Sequence, residues 1–227
     1  MARNKYPEET VQCILDAAQS LFLEKGYEHT TVQDIVGRLG GLTKGAIYHH
    51  FQSKEEILSA VMERMFAQSA DSVNRWEEIR DQQGMTGLEK LRRMLLEGIR
   101  DPVQDQVYRA APDFKKTPQI LAAMLHDSVE VTAPALVQPV LEQGMADGSI
   151  QTEYPKELAE LIMLLMNFWI YPGIFQVSEA DYARKFQFLR DLLPKLGLNG
   201  LIHADLIARA NDILSLYQAR GKEGAGD

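Results

Sequence analysis

Residues 30–58 constrain the fold of this chain more than any other segment, because they contain three helix starts close together. Thr30 or Thr31 can cap a short helix with one apolar face, since an acidic or amide side chain follows at the position that a capping box requires. Gly40–Gly41 breaks that helix, and Thr43 can cap the next one. Two short capped helices joined by a glycine turn predict a helix-turn-helix, the structure that reads DNA in many regulators.

The rest of the chain has the spacing of apolar residues that is typical of helices. Ser53 with Glu56 is a further capping signal, and it begins a long helix after the helix-turn-helix. No alternating β-branched run of strand length is present, so we predict an all-α fold. Pro134 is expected to separate two helices. The predicted helices span residues 7–25, 44–50, 54–80, 87–100, 118–131, 135–145, 155–171, 179–196 and 201–220.

The segment also resembles the N-terminal domain of the TetR family of bacterial transcriptional regulators. That family has a motif of two threonines, a glycine turn, a short helix ending in an aromatic residue and a Ser-Lys-Glu helix start. The residues that match the motif are Thr30, Thr31, Val32, Ile35, Gly41, Leu42, Thr43, Gly45, Ile47, Tyr48, His50, Phe51, Ser53, Lys54 and Glu55.

The resemblance implies a domain organisation and a function. Residues 1–54 would form a three-helix DNA-binding domain, and residues 55–220 a larger helical domain for effector binding and dimerisation. Residues 221–227 have no apolar anchor and are predicted to be a disordered tail. The expected protein is a cytoplasmic homodimer that represses transcription from a near-palindromic operator in double-stranded DNA and is released by a small-molecule effector. The alternative is a DNA-binding or interaction protein of the same fold without an effector.

Helix geometry and the resemblance together predict the residues that contact DNA. Recognition helices present their first turns to base edges, which makes Lys44, Ala46 and His49 candidates for base contacts. Gly45 would let the backbone approach the groove closely. By the resemblance, the residues on or near phosphates are Thr31, Thr43, Tyr48, His50 and Lys54, and Thr30 also belongs to the predicted DNA-binding set. The threonines can equally be helix caps, a role that is compatible with phosphate contact.

The net charge of −8 is unusual for a protein that binds DNA, for which a basic surface is the common electrostatic signal. Lys and Arg balance Asp and Glu within residues 1–54, so the whole negative charge belongs to residues 55–227. The acidic part is expected to be repelled by DNA, which would orient the neutral part toward the duplex.

The resemblance predicts that two late helices, residues 155–171 and 179–196, pair with those of a second copy. Both are richer in apolar residues than one buried stripe needs. The alternative is that both are buried within one chain. The predicted interface residues are Leu158, Leu161, Ile162, Leu165, Tyr182, Phe186, Leu189 and Leu193.

An apolar effector pocket is predicted in the larger domain. Methionine and aromatic side chains suit adaptable apolar cavities, although the same residues at helical spacing also form ordinary cores. A few polar groups would meet the polar part of the effector. The candidate residues are Met62, Met65, Phe66, Ser69, Trp76, Met94, Tyr108, His126, Met163, Met166, Asn167, Trp169 and Phe175.

Other classes of function have little support in the sequence. No nucleophile elbow or phosphate-binding glycine motif is present, so neither an enzyme nor a cofactor is expected. His49 and His50 are adjacent and diverge by about 100° on a helix, so no metal site is predicted there. The longest apolar run, residues 161–175, is shorter than the roughly 20 residues of a membrane span. Cys13 is the single cysteine, which excludes an internal disulfide.

Overall fold

The structure, a computed structural model, describes residues 7–68, 70–100, 114, 117–175 and 177–223. The described part of the chain is helical and contains no strand, which confirms the all-α prediction. The N-terminal helices are α1 (Pro7–Lys25), α2 (Val32–Leu39), α3 (Lys44–His50) and α4 (Lys54–Gln68).

Local signals fix the ends of α2 and α3. Thr31 is the cap of α2, because its hydroxyl accepts from the Asp34 N–H at 3.1 Å and the Asp34 carboxylate accepts from the Thr31 N–H at 2.7 Å. Gly40 ends α2 with a φ of +62°, a conformation that favours glycine. Thr43 caps α3 by accepting from the Ala46 N–H at 3.2 Å. The predicted helix-turn-helix is therefore present.

The larger domain continues with further helices that follow the predicted pattern. α11 extends to Glu223, which lies within the segment predicted to be a tail, and residues 224–227 lie outside the described residues. The helices are α5 (Ala70–Asp81), α6 (Gly87–Arg100), α7 (Pro118–His126), α8 (Gln138–Asp147), α9 (Pro155–Leu164), α10 (Glu179–Leu192) and α11 (Ala204–Glu223). Two π-helical segments, Asp127–Val137 and Leu165–Trp169, and a short 3₁₀ turn, Leu193–Leu196, adjoin them.

The predicted helix break at Pro134 is wrong. α7, the π-helical segment Asp127–Val137 and α8 are continuous. In an α-helix the proline ring collides with the carbonyl four residues earlier and removes a hydrogen bond. A π-helix is wider, because its bonds join residues five apart. The wider turns accommodate the Pro134 ring, so the helix continues through it.

The continuous helix is also long and apolar. By length and composition alone, residues 120–147 could span a membrane. Core helices of soluble proteins have the same properties, and this helix contributes Ala133, Val137, Val140 and Leu141 to the protein interior. Length and composition therefore do not distinguish the two environments here.

The interior consists of two hydrophobic clusters. The first contains the apolar faces of α1 to α4, and it also includes Phe114, Ile120, Tyr171 and Ile213 from the larger domain. We call these four residues the junction residues. The second cluster lies within the larger domain, and Ile99 of α6 packs against both. The members of one cluster are in contact with one another, and the first cluster contains residues from both sides of residue 54. The packing is therefore continuous across the position where two domains were predicted to meet.

α6 and α8 cross at two glycines. A Cβ atom on Gly87 would lie 2.2 Å from the backbone nitrogen of Gly144, and one on Gly144 would lie 2.5 Å from Cδ1 of Ile150. The Asp147 carboxylate accepts from the Gly87 N–H at 2.7 Å and so satisfies the first turn of α6. A side chain on Gly87 would push the two helices apart, and one on Gly144 would displace Ile150.

Candidate DNA-reading surface

α3 presents one side to the interior and the opposite side to solvent. Ile47 is fully buried in the first hydrophobic cluster. Since successive residues of a helix are rotated by about 100°, Gly45 and His49 lie opposite Ile47, and Lys44 and Tyr48 lie on one flank of the helix. All four are exposed. The solvent face of α3 therefore carries a cation, an imidazole and a phenol around a glycine that permits close approach.

The N-terminal ends of α2 and α3 add donors to this region. Thr31 and Thr43 are exposed caps, and helix N-termini attract anions through their free N–H groups. The Lys44 Nζ lies 5.7 Å from the centre of the Tyr48 ring, within the range of a cation–π interaction. These groups suit a polyanion whose phosphates pass near the two helix ends.

Ala46 and His50 lie at the edges of this face rather than at its centre. Both are half-buried and lie on the flank of α3 opposite to that of Lys44 and Tyr48. His50 lines a groove of about 300 Å³ with Glu8 and Val11 of α1. His50 thus lies on α3 at a groove that α3 shares with α1. Among the described residues no group of three or more metal-ligating side chains is found.

Thr30 cannot contact DNA as predicted. It is fully buried, and its hydroxyl donates to the carbonyl of Gly26 at 2.8 Å. The bond closes the turn between α1 and α2. The two neighbouring threonines therefore have different roles, with Thr31 exposed at the cap and Thr30 inside the turn.

The Lys54 ammonium has partners within the N-terminal helices. Its Nζ donates to the carbonyls of Tyr27 and Thr30, each at 3.0 Å, and lies 4.0 Å from the centre of the Tyr27 ring. The Tyr27 hydroxyl donates to Glu55 at 3.1 Å, and burial, followed by the charge of Glu55, raises the pKa of Tyr27. Lys54 therefore has an internal set of partners, and its contact with a phosphate stays a prediction.

Surface ion pairs attach α2 to α1. Arg38 donates to both carboxylate oxygens of Glu24, at 2.9 and 2.6 Å, and to the hydroxyl of Ser20 at 3.1 Å. The hydrogen bond from Arg38 is the main reason why the pKa of Glu24 falls to about 2. Lys25 pairs with Asp34 at 2.8 Å, and its hydrogen bond lowers the pKa of that carboxyl. Arg38 and Lys25 are thus engaged with acids of their own domain.

Arg64 of α4 was missed by the sequence reasoning. Its guanidinium donates to Asp16 at 2.7 Å, to Gln12 at 3.5 Å and to Gln19, all on α1. Its side chain is only 16% exposed, although it carries a charge. No local pattern in the sequence indicates this contact, because its partners on α1 lie 45 or more residues away in the chain.

Comparisons with known proteins agree with this geometry. The family model described as "Bacterial regulatory proteins, tetR family" matches residues 14–61. The HTH-type transcriptional repressor KstR2 of Rhodococcus jostii is 30% identical over 186 residues, which cover 78% of this chain and 73% of KstR2. This chain belongs to the TetR family of bacterial regulatory proteins.

A shorter match and a solved structure support the family assignment. The TetC protein of transposon Tn10 from Escherichia coli is 43% identical over 53 residues, so the match spans only 26% of TetC and 23% of this chain. A TetR-family transcriptional regulator from Pectobacterium atrosepticum is 26% identical, with a TM-score of 0.58 over 87% of this chain and 98% of that one. The protein is thus a helix-turn-helix transcriptional regulator of the TetR family.

The candidate effector residues of this TetR-family protein lie in different environments. Met62 is buried in the first hydrophobic cluster, whereas Met94 and Met163 are buried in the second. Three further candidates, Trp76, Met166 and Trp169, pack at the edge of the second cluster. The side chains of Met65, Phe66, Ser69 and Tyr108 lie outside the described residues.

The remaining effector candidates already have partners or face solvent. The Asn167 amide donates to the buried hydroxyl of Ser128 at 3.1 Å. Trp169 and Phe175 lie 4.9 and 5.2 Å from the Lys185 Nζ, which they hold between their rings. His126 is exposed. A groove of about 470 Å³ between α10 and α11 contains none of the candidates; it is lined by Arg190, Ile202, His203, Ala204, Ile207, Ala208 and Asn211.

Most of the predicted dimer-interface residues cannot contact a second copy. They are buried inside the protomer, because α9 and α10 direct these side chains into the second hydrophobic cluster. The residues concerned are Leu158, Ile162, Tyr182, Phe186, Leu189 and Leu193. Leu161 and Leu165 are half-buried at the edge. Further apolar residues of the two helices and the adjoining π-helical segment are half-buried or exposed, namely Leu164, Phe168, Phe188 and Leu192.

Proposed function

We propose that this TetR-family regulator is a repressor that leaves a near-palindromic operator when a small, largely apolar effector binds. The solvent face of α3 carries this proposal, because its exposed polar residues surround a glycine opposite the buried Ile47. KstR2, which aligns with most of the chain, is itself named a transcriptional repressor. That name supports repression rather than activation.

The residues of the reading face have separate roles in the proposed complex. The Lys44 ammonium donates to the O6 and N7 atoms of guanine, and His49 donates or accepts at a neighbouring base. Thr31, Thr43 and Tyr48 contact phosphates, which positions the protein on the duplex without selecting a sequence. Both sets are exposed, as DNA contact requires.

The proposal includes a homodimer built on α9 and α10. The proposed contact surface, here called the apolar row, consists of partly exposed residues: Leu161 of α9, Leu165 of the adjoining π-helical segment and Phe188 of α10. Phe188 is 52% exposed and stacks edge-to-face on Trp169 at 5.7 Å. A second copy would cover this row by two-fold symmetry. Two reading helices about 34–36 Å apart would then reach successive major grooves, which favours a palindromic operator.

The effector would act by favouring a conformation that does not fit the operator. The continuity of the first hydrophobic cluster from α3 and α4 to the junction residues supports this mechanism, because packing changes in the larger domain reach the reading helix. Coupling between two sites is typically about 1–3 kcal/mol. By reciprocity, operator DNA must weaken effector binding by the same factor.

Selection from a random DNA library tests the operator part of the proposal. We expect enriched sequences with two inverted half-sites whose centres are about 10 base pairs, or a multiple of that spacing, apart. Enrichment of single half-sites, or no enrichment, overturns the proposed dimeric reading.

The fluorescent apolar dye 1-anilinonaphthalene-8-sulfonate tests the effector part. We expect saturable dye binding to the protein that weakens when the selected operator is present, and release of the operator at saturating dye. Equal dye affinity with and without operator contradicts the proposed coupling. That result would leave the regulator without an effector as the remaining function.

A further inference from the structure

Two cationic side chains attach α4 to the rest of the DNA-reading domain. At its first residue, the Lys54 ammonium donates to the Tyr27 and Thr30 carbonyls at 3.0 Å each and stacks on the Tyr27 ring. These carbonyls belong to the turn between α1 and α2. Lys54 therefore connects the start of α4 to the turn that precedes the helix-turn-helix.

The second attachment lies further along the same helix. Arg64 donates to Asp16 at 2.7 Å and also to Gln12 and Gln19, so it contacts side chains from several turns of α1. The Asp16 side chain is 72% exposed, whereas that of Arg64 is 16% exposed. The largely buried side chain of Arg64 on α4 thus bonds an exposed carboxylate on α1.

We propose that Lys54 and Arg64 are positioning residues for DNA reading, and that they make α1 to α4 move as one rigid body up to Arg64. α3 is short, and isolated helices of its length are not stable in water. Its orientation depends on the helices against which Ile47 packs. With α4 held to the α1–α2 turn by Lys54 and to α1 by Arg64, α3 is already ordered before DNA binds, and less conformational freedom is lost on binding.

This role differs from a phosphate contact in a measurable way. A lysine that neutralises a phosphate releases counterions, so the slope of log K against log salt changes by about 0.9 when that lysine is removed. A positioning residue touches no phosphate, so its removal weakens binding without changing the slope. The inward bonds of Lys54 favour the second behaviour.

The experiment measures the affinity for the selected operator between about 50 and 200 mM salt. Lys54→Met and Arg64→Met keep the length of the side chain but remove its donors. We expect roughly tenfold weaker binding for each, with the slope of the wild type, because the protein must order α3 as it binds. Lys54→Arg, which can still donate to both carbonyls, should restore binding. Lys195→Met, which removes an exposed cation of the larger domain, is the control.

Several outcomes would overturn the proposal. A slope reduced by about 0.9 for Lys54→Met identifies a phosphate contact instead. Wild-type affinity in either variant means that the anchor does not position α3. The folded fraction of each variant is measured by circular dichroism at the assay temperature. If loss of folded protein accounts for the weaker binding, the residue only stabilises the domain. None of these outcomes depends on whether an effector exists.

Discussion

The Asn167 amide donates to the Ser128 hydroxyl at 3.1 Å, and this bond joins the two π-helical segments of the larger domain. π-helical turns are rare and often accompany functional sites. Here they face each other across a polar contact in a mostly apolar interior. Ser128 is almost fully buried and Asn167 is half-buried, so the Ser128 hydroxyl depends on this contact for its hydrogen bond.

We therefore expect Ser128→Ala to lower the free energy of unfolding by about 1–3 kcal/mol, because the Asn167 amide loses its partner. Urea denaturation measures the change. Ser215→Ala is the control, since the Ser215 hydroxyl is exposed and bonds within its own helix. An equal effect of the two substitutions would show that the bond between the π-helical segments adds no stability.

The glycine crossing of α6 and α8 leads to a second stability prediction. Gly144→Ala places a methyl group 2.5 Å from the Ile150 side chain, and we expect a loss of about 1–3 kcal/mol from overpacking. Gly37→Ala in α2 meets no atom within 4 Å and should stabilise the protein by up to about 1 kcal/mol. Thermal and urea unfolding of the pair measure both changes. Equal stability of the two variants would contradict the close packing at Gly144.

Lys44 is expected to distinguish operator from other DNA. If it donates to guanine, Lys44→Ala should lose about 1–3 kcal/mol of affinity at operators that carry the contacted base pair. The loss on random-sequence DNA should be much smaller. Fluorescence anisotropy with both duplexes measures the difference. Equal losses would assign Lys44 to the phosphates.

The outer face of α9 and α10 should hold the dimer together. Phe188→Glu places a charge in the apolar row, and we expect monomers at micromolar concentration, because an unpaired charge would be buried in the interface. Ala183→Glu alters an exposed residue on the other side of α10 and should leave the dimer intact. Sedimentation velocity compares the two. A dimeric Phe188→Glu variant would exclude this face as the interface.

Acid should remove part of the stability that Glu24 provides. The pKa of Glu24 is about 2 in the folded protein, against 4.5 ordinarily, mainly because Arg38 donates to it. The ion pair therefore contributes fully above about pH 4.5, and its contribution is lost as the pH falls toward 2. We expect the difference in unfolding free energy between wild type and Glu24→Gln to shrink over this range. A difference that is independent of pH would contradict the strength of the pair.

The sequence predicted those features that depend on local signals. The bounds of α1 and α6 agree with the prediction, because caps, glycines and apolar spacing lie within each helix. Pro134 misled the prediction, since its rule describes α-helices and the chain adopts a wider helix there. Periodicity also failed for α9 and α10. Where a helix is apolar on two sides, the spacing cannot tell which side faces the core.

The candidate site residues also divide into those that local sequence predicts and those whose environment depends on distant parts of the chain. Thr43 and one of Thr30 and Thr31 were predicted to be caps from neighbouring residues, and the structure shows the capping bonds at Thr31 and Thr43. The environment of Lys54 depends on Tyr27 and Thr30, which are far away in sequence, and no local pattern encodes that contact. Arg64 was missed for the same reason.

The junction residues also determine how this regulator can be recombined with its relatives. Phe114, Ile120, Tyr171 and Ile213 belong to the larger domain but complete the packing beneath α1 and α4. A chimera that joins residues 1–64 to the body of another TetR-family protein would replace all four at once and leave apolar surface exposed at the joint. Transferring residues 1–64 together with the four junction residues should give hybrids that fold. The part of the protein that can be exchanged is therefore made of segments that are separate in the chain.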